Sequence, residues 1–317
     1  MIRIILDTDL AMGAPGSDID DGFALALAHA DPDIQIELVT TVNGNTDVES
    51  ATLLGLELAD RLGAGSIPVV MGASAPLLRP DLTRRAPDPI RERYGHRVPQ
   101  EGHAPQRIVE LVMANPGEIT VVAIGPLTNI AVALALDPGF ASAVKEIVIM
   151  GGIFLGQTNK AAMPGEFNVW VDPEAAYAVL HSGAPLRWVG LDVTMRVRLT
   201  RDDALKLSAG AGGFASFAGE CTTAWIDHLA AANPGDHSQA DSCAMHDPLA
   251  VAVLTRPDLV TWADAHVDVI TGDGTGRGVM IADLLTSDRP PAPNCRIATD
   301  VDASAFREHF LGMLSRL

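Results

Sequence analysis

The sequence predicts an α/β domain: an open, mostly parallel sheet with helices on both faces. Three observations predict it. Short β-branched runs alternate with helical patterns along the chain. One run, Ile119-Thr120-Val121-Val122-Ala123-Ile124, is nearly all apolar, as a strand covered on both faces must be. Hydrophobic residues make up 48% of the 317 positions and charged residues 20%, which excludes a disordered or fibrous chain. No repeat, low-complexity tract or linker interrupts the pattern, so residues 1–317 read as a single domain.

The elements follow in order. Ile2–Leu6 reads as a strand and Asp20–Ala30 as a helix; Ile34–Val42 is the next strand and Val48–Leu62 the next helix. The polar, proline-rich stretch Arg79–Gln106 reads as one long loop, of the kind that covers an active site. Helix Gln106–Ala114, strand Ile119–Ile124, helix Leu127–Leu136, strand Glu146–Met150, helix Pro173–Ser182 and strand Leu186–Val189 come next. Ala209-Gly210-Ala211-Gly212-Gly213 reads as a mobile hinge before helix Ala215–Ala231, and an apolar helical run spans Pro248–Leu254. Strand Ala265–Ile270, strand Asn294–Thr299 and helix Ala303–Leu317 close the chain.

Charge narrows the partners. With 22 Lys+Arg against 40 Asp+Glu, the formal net charge is −18. Such a field disfavours nucleic acid and anionic membranes as partners and leaves small substrates and metal cations. Cys221, Cys243 and Cys295 are widely spaced and form no CxxC pair, so they read as small buried hydrophobes rather than a disulfide scaffold or zinc site. Met1–Asp7 lacks the layout of a signal peptide, and no long uncharged apolar stretch follows; the expectation is a soluble, cytoplasmic protein.

In open α/β sheets ligands bind outside the carboxyl ends of the strands. The first strand ends in Asp7-Thr8-Asp9, and Asp20-Asp21 opens the following helix. Carboxylates gathered near one strand end repel each other unless a cation sits among them, and with no His or Cys in the set a hard cation such as Ca²⁺ or Mg²⁺ fits better than zinc. Other strand ends add Asn43-Gly44-Asn45, Gly125-Pro126-Leu127-Thr128-Asn129 and Met150-Gly151-Gly152. Glu166-Phe167-Asn168 precedes a helix, and His246-Asp247 opens another. Each alone reads as a turn or cap. Their joint placement at strand ends points to a site.

Taken in register, these motifs, with Asp172-Pro173-Glu174-Ala175-Ala176, His246-Asp247-Pro248 and Arg296-Ile297-Ala298-Thr299-Asp300-Val301, resemble the inosine-uridine-preferring nucleoside hydrolase family from residue 2 to about residue 301. The resemblance implies a Rossmann-like sheet and Ca²⁺-dependent cleavage of ribonucleosides to free base and ribose. It implies that Asp9, Asp21, Asp247 and the Thr128 carbonyl hold Ca²⁺, with Asp7 orienting the ligands from behind. It places Asp20 and Asn168 at the ribose 2′-hydroxyl, Asn45 and Asp247 near the 3′-hydroxyl, and Glu166 with a loop asparagine at the 5′-hydroxyl, Met150 completing the substrate set. It also implies a homodimer or homotetramer.

Asp9 would act as general base toward water, and His246 would help the base depart. Further histidines that could do so are His96, His103, His228 and His237; Trp225 and His228 share a helical face. The sequence departs from the family twice. Ten residues, Leu10 to Ile19, separate Asp9 from Asp20 in place of a short loop, and must bulge away if the ligands keep their places. Lys160 stands where the loop asparagine belongs, with Asn159 one residue off. Two other readings compete: a haloacid-dehalogenase-like phosphatase, which lacks a well-placed lysine here, and a non-catalytic calcium-dependent nucleoside or sugar sensor.

Overall fold

Ile4, Ile5 and Leu6 are consecutive, yet Ile4 and Leu6 join one apolar layer and Ile5 another. That alternation is the period of a strand whose two faces are both covered. The computed structural model describes residues 1–85, 88–210, 212–236, 240–285 and 290–317. Its strands are β1 (Ile2–Thr8), β2 (Ile34–Thr41), β3 (Val69–Met71), β4 (Ile119–Ala123), β5 (Glu146–Met150), β6 (Leu186–Val189), β7 (Arg198–Thr200), β8 (Ser242–Ala244), β9 (Val260–Val269), β10 (Met280–Asp283) and β11 (Cys295–Val301). Nine of them form one sheet in the order β10-β9-β11-β6-β5-β4-β1-β2-β3, while β7 and β8 make a separate antiparallel pair.

Pairing is parallel from β3 across to β11, and antiparallel only where β9 joins β11 and β10. The chain runs outward from β1 to β3, then returns to β4 on the other side of β1. Strand order therefore reverses between β1 and β4, and the crevice at their carboxyl ends is where such sheets bind ligands. On one face pack helices Asp20–Ala30, Val48–Arg61, Gly213–Ala232, His246–Thr255 and Ala303–Leu314. On the other pack Ala104–Ala114, Thr128–Leu136 and Pro173–Leu180. Helix Asp20–Ala30 is buried from Asp20 to Ala28, and Phe23 meets the edges of Phe214 and Phe310 with ring centroids 6.1 and 5.6 Å away. This fixes the helix whose first residues are Asp20 and Asp21.

The alternating α/β pattern holds, with several corrections. Arg79–Gln106 is not one loop: it contains a 3₁₀ turn Pro80–Leu82, helix Asp88–Tyr94 and the start of helix Ala104–Ala114. Ile90 and Tyr94, four apart, bury one face of that short helix, too few apolar positions to stand out among its charges. The strand expected at Ala265–Ile270 begins at Val260, and β3, β7, β8 and β10 are too short to carry a period. The glycine-rich segment leads straight into helix Gly213–Ala232; Ala211 lies outside the described residues. The cysteines are free, with Cys243 and Cys295 buried. Among the described residues no helix is long and apolar enough to cross a membrane.

The β7–β8 pair, which leads into His246, is tied to the C-terminal helix through Asp203. Thr200 caps helix Arg201–Ser208 in a reciprocal box with Asp203, whose carboxylate also takes both Arg307 amino groups at 2.8 and 2.7 Å. Burial works to raise the Asp203 carboxyl, but Arg307 and Thr200 outweigh it and hold it at about 2. Arg307→Met is expected to cost about 1–2 kcal/mol at neutral pH, the low end for a charged hydrogen bond because Arg307 is partly solvated. The folded carboxyl titrates below the unfolded one. The pair's contribution is therefore full above about pH 4 and lost as pH falls toward about 2. Urea unfolding of both proteins across that window checks it, and a pH-independent difference would contradict the assignment.

Candidate active site

The site grows from the end of β1. Asp7 is fully buried between β2 and β4, and its Oδ1 accepts from Thr40 Oγ1 at 2.5 Å and Asn129 Nδ2 at 2.7 Å. Burial pushes this carboxyl up to about 7 despite those two bonds, and among the described residues its Oδ2 has no hydrogen-bond partner. Two residues on, Asp9 Oδ2 accepts the Asn45 backbone N–H at 2.6 Å. Gly44 makes this approach possible, since a Cβ there would lie 2.0 Å from the same oxygen. Asp9 Oδ1 is buried and has no hydrogen-bond partner among the described residues.

Helix Asp20–Ala30 brings in two more carboxylates. Asp21 accepts from the Thr8 hydroxyl and from Asn45 Nδ2, the latter at 3.1 Å. Asp20 Oδ2 accepts the Asp247 backbone N–H at 3.1 Å, joining the start of helix His246–Thr255 to the cluster. Oxygens of Asp20, Asp21 and Asp247 all lie within 4.8 Å of one another. Asp9 is raised well above the carboxylate range by burial and then by Asp21's charge. Asp247 is raised by burial and then by Asp20, Asp21, Asp9 and Asp18. Asp21 is pushed to about 7 by burial and by Asp20, against its hydrogen bonds. The strong electrostatic neighbours are thus other carboxylates. Crowded, buried, all-oxygen donors with an orphaned lone pair fit a hard divalent cation.

Thr128 stands at the adjacent end of β4, opening helix Thr128–Leu136, with its hydroxyl donating to Asp172 Oδ2 at 2.6 Å. Asp172 also accepts the N–H groups of Leu77 and Ala175. Beyond β5, Glu166 caps a short helix, Phe167–Val171, taking the N–H groups of Asn168 and Val169 at 2.9 and 3.1 Å and that of Gly152 at 3.0 Å. Burial raises Glu166 to about 7 against these three bonds, with the charge of Asp20 adding to the rise. Asn168 Nδ2 donates to the carbonyls of Ile124 at 2.9 Å and Met150 at 3.3 Å, which seats it across the ends of β4 and β5.

Asp9, Asn45, Asp20, Asp21 and Asp247 are thus joined by hydrogen bonds or close approach, with Asp7 behind them bonded to Thr40 and Asn129, and Met150, Glu166 and Asn168 form a second linked group. Asn159 is exposed on the loop before Glu166, with a left-handed φ of 58°. His246 is half-buried, its Nδ1 2.7 Å from the Thr194 hydroxyl; burial lowers its pKa while Asp20's charge opposes this. Trp225 and His228 stack at 5.3 Å, as their shared helical face implies. His96 and His103 are exposed, and His237 lies outside the described residues.

The tract Leu10–Ile19 does not bulge away. Leu10, Ala11, Met12 and Ala14 sink into the core, and Met12 packs on Gly22, where a Cβ would come within 2.6 Å of its Cε. Gly13 and Gly16, at φ 103° and 70°, turn the tract against Phe217 and His228. Alternating small and apolar residues made inward folding legible in principle. The tract delivers Asp18, a residue sequence reasoning passed over, beside Asp20: burial and then Asp20's charge raise its carboxyl. The signal was the spacing Asp18-x-Asp20-Asp21. Thr194 was missed, and Asn129, quoted only within the motif at the end of β4, was given no role toward Asp7, because nothing local marks a hydroxyl or amide that serves a distant side chain.

Gly44→Ala is expected to destabilise the fold by about 1–3 kcal/mol, the scale for forcing extra atoms into a packed site. A crystal structure of the variant should show Asp9 or the Gly44–Asn45 turn displaced. An unchanged melting temperature with Asp9 in place would contradict the close approach.

A family model described as inosine-uridine preferring nucleoside hydrolase matches residues 4–308. The chain is 36% identical to Uridine nucleosidase 1 of Arabidopsis thaliana, over 85% of this chain and 78% of that one. It is 36% identical to the non-specific ribonucleoside hydrolase RihC of Klebsiella pneumoniae, over 96% of each. A solved plant nucleoside hydrolase, PpNRh1, superposes with a TM-score of 0.85 at 29% identity, covering 100% of this chain and 99% of that one.

Proposed function

From the premise that this chain belongs to the inosine-uridine-preferring nucleoside hydrolase family and is a nucleoside N-ribohydrolase, we propose a Ca²⁺-dependent enzyme whose metal and ribose are held by the carboxylates at the end of β1. The observation that carries this reading is the buried cluster of Asp9, Asp20, Asp21 and Asp247, which includes an unpartnered Asp9 oxygen. Membership of the nucleoside hydrolase family speaks against the phosphatase, and relatives named as a uridine nucleosidase and a ribonucleoside hydrolase favour catalysis over a non-catalytic sensor.

Asp9, Asp21, Asp247 and the Thr128 carbonyl would hold Ca²⁺, a set of oxygen donors suited to that ion, while Asp7 braces the strand end behind them. When bound, the ion supplies a Lewis acid that orders water and sugar hydroxyls. Asp20 and Asn168 grip the 2′-hydroxyl, Asn45 and Asp247 the 3′-hydroxyl, and Glu166 with Asn159 the 5′-hydroxyl; Met150 lines the same face. Breaking the C–N bond builds positive charge on the ring, an oxocarbenium-like transition state, and the surrounding carboxylates stabilise it. Asp9 accepts the proton of the attacking water. His246 protonates the departing base. The substrates are free nucleosides, in keeping with the net charge of −18, and the enzyme works in the cytoplasm as a homodimer or homotetramer.

Asp9→Asn is expected to reduce kcat by about 10²–10⁴-fold. Calcium content measured alongside separates loss of the base from loss of metal; a calcium-loaded variant with wild-type turnover removes Asp9 from the mechanism.

Sugar recognition should outweigh base recognition. A site built to bond hydroxyls leaves its own polar groups unpaired when one is missing, and such sites discriminate by as much as about 10⁴–10⁵. Exchanging uridine for inosine is therefore expected to change kcat/KM less than removing the 2′-hydroxyl from either. Equal rates on ribo- and 2′-deoxyribonucleosides would overturn the placement of the ribose among these residues.

A further inference from the structure

His246 is held by a residue that lies far from it in sequence. Thr194 Oγ1 sits 2.7 Å from His246 Nδ1, and Thr194 is fully buried. It closes a single helical turn, Leu191–Thr194, that follows β6. That turn is clamped. Thr194 N–H donates to the Gly190 carbonyl, and Leu191 N–H to that of Gly152 at the end of β5. A Cβ at Gly190 would come within 2.8 Å of both Gly152 O and the Phe154 ring, so only glycine lets the turn seat there. Asp192 takes the N–H groups of Phe154 and Leu155 at 2.8 and 2.9 Å, binding the turn to the loop after β5 as well. From the other side, Met245 N–H donates to the Val197 carbonyl, which fixes the backbone just before His246. Hydroxyl and ring are therefore both mounted on rigid supports.

An imidazole has two nitrogens on opposite edges, and the partner of one decides what the other can do. With Nδ1 occupied by a buried hydroxyl, Nε2 is the nitrogen left for the substrate. We propose that Thr194 is a positioning residue for leaving-group protonation: it holds His246 by Nδ1 so that Nε2 meets the nitrogen of the departing base. This rests on His246 being the acid. The electron pair of the C–N bond passes to the base, which takes the Nε2 proton of the His246 imidazolium and leaves a neutral ring whose Nδ1–H donates to Thr194 Oγ1; water adds OH to the sugar and gives its other proton to Asp9. Exchange with solvent returns a proton from Asp9 to His246, so the sum is nucleoside plus water giving base plus ribose.

The test compares substrates that need protonation with one that does not. Inosine and uridine have poor leaving groups, whereas p-nitrophenyl β-D-riboside departs as a stable phenolate. Thr194→Val keeps the shape and removes the hydroxyl; Thr194→Ala does so without an added methyl, should valine crowd the turn. The expected result is a loss of about 10–100-fold in kcat on both nucleosides, the usual scale for losing such a support. The p-nitrophenyl substrate should lose less than about 3-fold, and Thr194→Ser should recover most of the nucleoside activity. Equal losses on all substrates, or none, overturn the inference. His246→Ala separates it from the reading beneath. If that variant is impaired on nucleosides while Thr194→Val is not, the positioning role alone fails. If His246→Ala hydrolyses nucleosides as the wild type does, the histidine is not the acid and both fall.

Discussion

Buried carboxylates with no Lys or Arg bonded to them among the described residues are the constraint around which the end of β1 is arranged. Asp9, Asp20, Asp21 and Asp247 converge from β1 and two helix starts, with Asp7 behind them, all removed from water. An isolated buried charge costs several kcal/mol even after relaxation, and a hydrogen bond to a charged group returns roughly 1.5–3. Thr8, Thr40, Asn45 and Asn129 supply such bonds, but they leave Asp7 Oδ2 and Asp9 Oδ1 unmet. Like charges at this spacing add to the deficit. The donors therefore shape the cluster without neutralising it, and a divalent cation is the partner that the remaining oxygens suit.

The surrounding fold supplies what so crowded a site needs. Reversal of strand order between β1 and β4 opens the crevice, and β2 places Thr40 opposite Asp7 in register. Gly44 lets backbone reach the Asp9 carboxylate where any side chain would collide. Asp172 links the helix starting at Thr128, the loop at Leu77 and the helix starting at Pro173 through one carboxylate. Apart from Asn159 on its loop, groups assigned to the sugar thus stand at or just beyond strand ends and at helix starts. The inward-folded Leu10–Ile19 tract lies against the helix that carries Trp225 and His228, with Gly16 facing the His228 ring.

How much of this was legible beforehand depends on the range of the interaction. Alternation of strands and helices, the buried central strand at Ile119–Ala123 and the acidic and amide residues at strand ends follow from periodicity and local residue chemistry, and the sequence by itself determined them. Strands of three or four residues such as β3 and β8 carry no period, and helix Asp88–Tyr94 hides its two buried side chains among charges. Only the tertiary structure decided that Leu10–Ala14 turns into the core, that Asp18 arrives beside Asp20, and that Thr194 and Asn129 serve His246 and Asp7. The physical reason is the same in each case. A side chain's partner across 52 or 122 residues is set by how layers stack and strands register, and no window of neighbouring residues records that geometry.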